Sequence, residues 1–188
     1  MPDFSKLPLV TSTKHGRPGD AINVALVGSR DDVIAVMKAA GWQPADPITL
    51  RSSLHIADSV ALRSAYLTAP VSSLYYQGRR QDLAFEMEVG KSASHRHHVR
   101  FWKVSDTFWL GDATYDRSVG ISHHGTVTHH IDGNIDAERD FLMDGLNRTQ
   151  LLKGVFTVTG SGPRRARNGG GDLYWTDGDV RAGVISAP

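Results

Sequence analysis

The chain contains no cysteine. Disulfides, thiolate zinc sites, iron–sulfur clusters and a cysteine nucleophile are therefore all excluded. It has almost no net charge: 21 Lys and Arg stand against 20 Asp and Glu, a balance of +1. A molecule so close to neutral has no broad field to steer nucleic acid, so any anion site must be local and nucleic acid is not an expected partner. Long apolar runs are also missing, and nothing approaches the roughly 18–20 residues of a membrane span. The first residues, Met1-Pro2-Asp3-Phe4-Ser5-Lys6, lack the basic stretch and apolar core of a signal peptide. The expectation is a cytoplasmic chain, at most peripheral to a membrane.

What is present is ordinary globular material, 40% apolar and 22% charged over 188 residues, enough for one domain with a substantial core. Residues 1–20 read as an extended N-terminal segment, and 21–188 as a single domain. Ala21 to Val27 is a short apolar run that predicts a buried strand. Ser29 is placed to cap a helix from Asp31 to Ala40, with acids in the first turn and Gly41 at the end. Leu54, Ala57, Ala61 and Leu62 make an apolar stripe that predicts a second helix over 50–64.

Beyond Pro70 the period changes from helical to two. Leu83, Phe85, Met87 and Val89 alternate with Ala84, Glu86 and Glu88, the pattern of a half-buried strand. His97 to Val104 and Phe108 to Asp116 predict a hairpin turning at Ser105-Asp106. A three-residue loop would set Arg100 opposite Asp112; a two-residue loop would set it opposite Gly111. Asp136 and Glu138 open a third helix, to about Thr149, with Ala137, Phe141, Leu142 and Leu146 as its buried stripe. Val155 to Val158 predicts a strand, and Leu173 to Trp175 with Val180 to Ile185 a last pairing. The fold class expected is α+β, a mostly antiparallel sheet flanked by about three helices.

Several familiar motifs fail on inspection. Gly90-Lys91-Ser92 resembles the end of a phosphate-binding loop, but Phe85 stands where its first glycine belongs. Asp132-Gly133-Asn134-Ile135-Asp136 resembles the start of a calcium loop, yet Ala137 replaces the turn glycine and Met143 the bidentate glutamate. No HExxH or GxSxG occurs. His95-Arg96-His97 has the spacing of a metal-binding nuclease strand, but the helix over 135–149 brings no tyrosine nucleophile.

Two clusters remain. Seven of the nine histidines lie between His95 and His130, among Asp112, Asp116, Asp132, Asp136 and Glu138. Imidazoles and carboxylates together can hold zinc, manganese or iron, or move protons near neutral pH. Strand alternation sends His98, Arg100 and Trp102 to one face and His97, Val99 and Phe101 to the other, which makes His97 a hydrogen-bonded core residue. The second cluster is Pro163-Arg164-Arg165-Ala166-Arg167-Asn168-Gly169-Gly170-Gly171-Asp172. Its glycines could turn backbone amides toward an anion while its arginines supply planar donors; the bland alternative is a solvated loop.

An ordered set of short motifs then resembles the LssY C-terminal domain family of bacteria. It runs from Gly19-Asp20-Ala21-Ile22-Asn23-Val24 and Leu26-Val27-Gly28-Ser29 through Ala40-Gly41-Trp42, Pro70-Val71-Ser72 and Gly78-Arg79. His97-His98-Val99-Arg100-Phe101-Trp102, Ala113-Thr114-Tyr115-Asp116-Arg117, Thr128-His129-His130-Ile131-Asp132 and Asp136-Ala137-Glu138-Arg139-Asp140 follow. Arg167-Asn168-Gly169-Gly170-Gly171-Asp172 and Thr176-Asp177-Gly178 complete it. The resemblance carries no established activity. Members are often fused to multi-helix membrane modules, which these 188 residues do not contain, and the link between Trp102 and Trp109 is shorter than the family's usual hairpin.

Two functions are expected from these residues. The first is a metal-assisted hydrolase-like domain for a phosphate-containing or otherwise anionic substrate. His98, His130 and Asp132 would be metal ligands, Asp116 a ligand or general base, and Arg100 an electrostatic clamp. Arg164, Arg167 and Asn168 would hold the anion. The second is a non-catalytic binding or assembly domain serving a membrane or secretion-associated protein, with the arginines meeting lipid head groups or that partner.

Overall fold

The computed structural model describes residues 4–45, 73–90, 92–121 and 127–186. The helix expected over 50–64 lies outside the described residues. Those residues form an α+β fold with mostly antiparallel sheets and two helices.

From Phe4 onward the N-terminal segment is structured. A 3-10 turn, Phe4–Lys6, leads into an antiparallel pair, β1 (Val10–Ser12) and β2 (Pro18–Ala21). The apolar run at 21–27 is split between two strands. β2 ends at Ala21 and β3 is Val24–Val27. Asn23 marks the break. Its side-chain amide donates to the carbonyls of Ala113 (3.0 Å) and Ile135 (3.2 Å), and its carbonyl accepts from the Ala113 N–H (2.8 Å). A buried side chain thus satisfies backbone groups that neither sheet reaches.

Helix α1 is Arg30–Ala39. Ser29 Oγ accepts from the Asp32 N–H and the Asp32 carboxylate accepts from the Ser29 N–H, a reciprocal capping box. Gly41, at φ +88°, takes the left-handed conformation that ends it. Short strands β4 (Gln43–Pro44), β5 (Tyr75–Tyr76) and β6 (Arg79–Arg80) precede the long central ones, β7 (Leu83–Val89), β8 (Ser92–Ser105) and β9 (Phe108–Ile121). β10 (Val127–Ile131), helix α2 (Ile135–Arg148), β11 (Leu152–Thr159), β12 (Arg165–Arg167), β13 (Leu173–Trp175) and β14 (Asp179–Ile185) complete the order.

The main sheet runs β11-β14-β3-β9-β8-β7-β4, and only β14–β3 is parallel. β9 is its hub. β8 lies along one side, while β3 and then β10 occupy successive stretches of the other. The hairpin turn holds two residues, Asp106 and Thr107, yet Arg100 faces Asp112 and His98 faces Thr114. An irregularity between Lys103 and Ser105 supplies the missing residue, so a bulge rather than a longer loop sets the register. Leu173–Trp175 does not pair with β14 as the sequence suggested. It pairs with β12 as a separate ribbon, and β14 lies between β11 and β3.

One face of the sheet presents Val24, Leu26, Phe85, Val99, Phe101, Trp109 and Ala113 to both helices. α2 contributes Leu142, Met143 and Leu146, and it also buries Glu138 and Arg139. Ala137 and Phe141, expected in the buried stripe, are exposed. On the other face Trp102, Leu110, Ala25 and Ala182 pack against Phe4, Leu9, Leu74 and Tyr76, beneath the small sheet β2-β1-β5-β6. β7 is buried on both sides over Leu83–Glu86, so its polar alternation does not face water there.

Candidate functional site

Beside that second apolar cluster, the same sheet face carries charge. Register places Arg96 opposite Asp116, His98 opposite Thr114 and Arg100 opposite Asp112, with Glu86 of β7 beside His98. Directly opposite residues share a face, so period two collects these groups into one patch. All of them are buried.

Burying charge is costly without partners, and here the partners are explicit. Arg100 lies 3.3 Å from the Asp112 carboxylate and 3.6 Å from that of Asp20, on β2. Asp112 also accepts from the Arg100 backbone N–H at 3.2 Å. Two carboxylates thus share one guanidinium. Burial, with Asp20 adding to it against the pull of Arg100, pushes Asp112 up to about 8. Burial likewise raises Asp20, although Arg100 and the Asn168 amide oppose it. Arg96 pairs with Glu86 at 3.2 Å, and His98 Nε2 lies 2.7 Å from Asp116.

The cluster reaches the ribbon through Asn168. Its amide donates to Asp20 at 3.1 Å, and its carbonyl oxygen accepts from Gly170 N–H (3.0 Å) and Asp172 N–H (2.9 Å). Its own N–H and C=O close the loop on Asp172 and Gly171. Gly169 passes so near the β1–β2 turn that a Cβ there would sit 2.2 Å from Thr13 Cγ2, which accounts for a glycine at this point. The amides of Gly170, Gly171 and Asp172 are thereby turned inward onto Asn168, so the backbone nest expected for an anion is closed on itself.

Asp172, delivered by this loop, lies 2.7 Å from His130 Nδ1, and its second oxygen accepts from the Ile131 N–H at 3.2 Å. The Asp172 N–H donates to the same Asn168 side chain whose amide donates to Asp20, so the His130 pair is tied to the Arg100 cluster through one residue. His130 remains 26% exposed, whereas His98 is buried. Tyr174 is buried nearby, its hydroxyl without a hydrogen-bond partner among the described residues; burial and the Asp20 charge push it up to about 12.

The residues named from sequence therefore divide. His98, Arg100, Asp116, His130 and Asn168 belong to the centre. Asp132 instead accepts from the Asn134 N–H at 2.8 Å and leads into α2, whose N-cap is Asn134. Among the described residues no three His, Asp or Glu side chains form a group that could hold a metal ion. Arg164, Arg165 and Arg167 are exposed on the ribbon, Arg167 donating to the Gly171 carbonyl at 2.7 Å. His97 lies on the helix face, 2.8 Å from Glu138 and stacked on Phe141 at 4.0 Å. Burial raises Glu138, whose other carboxyl oxygen has no partner among the described residues. Sequence reasoning left Asp20, Asp112, Asp172 and Tyr174 without roles. The alternation Asp112, Thr114, Asp116 carried the signal for one of them.

The fold and its buried acid–base centre define an α+β domain with a charged sheet face closed by an asparagine-locked loop. Matching at residues 4–180, the chain belongs to the LssY C-terminus family. No curated protein and no solved structure matches it.

Proposed function

We propose that the chain is a hydrolase-like domain acting on a phosphate-containing or otherwise anionic substrate, with His130 as general base. The observation that carries this reading is the His130–Asp172 pair. A carboxylate 2.7 Å from Nδ1 fixes the tautomer in which Nε2 accepts a proton. The ring is partly exposed, while the pairs behind it are buried. Nε2 would take a proton from the attacking water as its oxygen bonds to phosphorus. The departing ester oxygen, on the opposite side of phosphorus, would take its proton from solvent, and the imidazolium would release its own to solvent. Arg164, Arg165 and Arg167 would recruit the anion from the same ribbon that supplies Asp172. Arg100, held by two carboxylates, serves as a positioning residue rather than a clamp. The zinc, manganese or iron expected with His98, His130 and Asp132 is left out of this step, because among the described residues no three His, Asp or Glu side chains gather into a group that could hold it.

The test is turnover of phosphomonoesters and phosphodiesters by the full chain, with and without chelator. Loss of a general base lowers kcat by roughly 10²–10⁴, so His130→Ala should fall in that range and Asp172→Asn part of the way, with both variants still folded. Activity abolished by chelator would return the metal to the reading; His130→Ala turning over as wild type would end it.

A second reading, a non-catalytic binding domain for lipid head groups or a membrane-associated partner, is favoured by Trp175. This residue is 50% exposed and stands directly across the ribbon from Arg165. An exposed tryptophan beside arginines suits a surface that is anionic outside and apolar beneath. Co-sedimentation with anionic vesicles, reduced by Trp175→Ala, would support it.

A further inference from the structure

Strand β11 lies at one end of the main sheet, and among the described residues only β14 pairs with it. The direction of its outer groups follows from the neighbouring strand. The Arg181 N–H donates to the Asn23 carbonyl, away from β11, and Arg181 lies opposite Thr157. Thr157 therefore points its own N–H and C=O outward, and by period two so do Val155 and Thr159.

An eight-residue strand with an open edge invites pairing unless charge, proline or a bulge blunts it. Here Lys153 and the irregularity between Leu152 and Gly154 guard the first residues only. From Val155 to Thr159 there is no charge and no proline. Both apolar layers of the fold also run out at this edge. Leu152 and Val155 are partly buried against the helix-side core, and Phe156 and Val158 against the opposite one.

We propose that β11 pairs antiparallel with β11 of a second copy about a twofold axis at Thr157, joining two main sheets into one. This register sets Val155 against Thr159 and, on the other face, Phe156 against Val158 twice, an aromatic and β-branched pairing that favours sheet contacts. Lys153 meets Ser161 rather than another lysine, so no like charges oppose. A strand whose own sequence satisfies it in this way fits the self-complementary interface of a cyclic dimer.

The absence of cysteine makes the test direct. Sedimentation velocity of the full chain from about 1 µM to about 1 mM spans the affinities of modest interfaces. The wild type should pass from monomer to dimer within that range. Thr157→Lys, which brings two charges together at an exposed position, should stay monomeric with an unchanged circular dichroism spectrum. Opposed residues of a hydrogen-bonded pair lie about 5.5 Å apart at Cα, within reach of a disulfide. Thr157→Cys should therefore cross-link to a covalent dimer under mild oxidation at least tenfold faster than Thr159→Cys, which faces Val155. A wild type monomeric throughout, dimerisation unaffected by Thr157→Lys, or equal cross-linking of the two cysteine variants overturns the proposal.

Discussion

Two regions of this molecule are built from the same side chains and differ in where water reaches. On the sheet, Arg100 is closed in by Asp112 and Asp20. On α2, Arg139 is held by Asp177 (2.6 Å), Asp140 (3.0 Å) and Asp136 (3.3 Å), and Arg181 extends the lattice to Asp140 and Asp144. Both arginines are nearly inaccessible, but the acids around Arg139 face solvent. The carboxylates respond in opposite directions. Asp112 and Asp20 are raised, chiefly by burial. Asp177 is lowered, chiefly by its hydrogen bond from Arg139. The ion pair is the same; the desolvation of its acidic partner decides whether the carboxyl holds or gives up its proton.

The largest effect expected from this contrast is at Arg100. Arg100→Ala leaves the two buried carboxyl groups without the guanidinium that pairs them, at about 1–3 kcal/mol for each buried polar group left unsatisfied. Arg139→Ala strands acids that water can solvate, and its loss should be about 1–2 kcal/mol. Urea denaturation of both variants checks the order. Equal losses would mean that burial of the acids is not what separates the two regions.

The pH dependence of stability sharpens the same comparison. Asp112 keeps its proton in the folded protein to about pH 8, but loses it near the ordinary value of 3.8 when unfolded. Between those values the folded state binds more protons, so Asp112's contribution is full below the unfolded value and is lost as pH rises through the folded one. Asp177 has the opposite sign. Its contribution is present above its unfolded value and disappears as pH falls through the lowered one. Melting temperature followed from about pH 3 to about pH 9 should therefore decline at both ends. Asp112→Asn should flatten the decline toward alkaline pH and leave the acid limb intact. An unchanged alkaline limb would move the stored proton to Asp20, Glu86 or Glu138, which burial also raises.

Much of the framework was legible because local physics wrote it. Ser29 caps where a serine before Asp31 and Asp32 should, and the alternation of β8 and β9 predicted their hairpin. Three things were not legible. The register depended on a bulge at Val104 that no residue type announces. The split at Asn23 required knowing that its amide would bond Ala113 and Ile135, roughly 90 and 110 residues away. The buried stripe of α2 rotated because Glu138 found His97 and Arg139 found Asp177, partners that helical periodicity cannot see. For the candidate site, His98, Arg100, Asp116, His130 and Asn168 stood out by type. Asp20 and Asp172, which bind them together, came from opposite ends of the chain.

The smallest stability effect belongs to a third setting, the exposed ribbon. The Arg167 guanidinium donates to the Gly171 carbonyl within its own loop. Asn168 already holds that loop by accepting from the Gly170 and Asp172 amides and donating to Asp20. Arg167→Ala should therefore change stability by no more than about 0.5 kcal/mol. Binding is another matter. If this guanidinium meets a phosphate, removing a charge-assisted hydrogen bond of about 1.5–3 kcal/mol should weaken affinity by about one to two orders of magnitude. Titration of wild type, Arg167→Ala and Arg167→Lys with inorganic phosphate and a soluble phosphoester separates charge from geometry. Nearly full recovery by lysine would mean a diffuse electrostatic attraction, and partial recovery a planar, bidentate contact. Equal affinity in all three would remove Arg167 from the anion site. A large fall in melting temperature for the alanine variant would instead make the Gly171 contact, rather than Asn168, the bond that holds the loop closed.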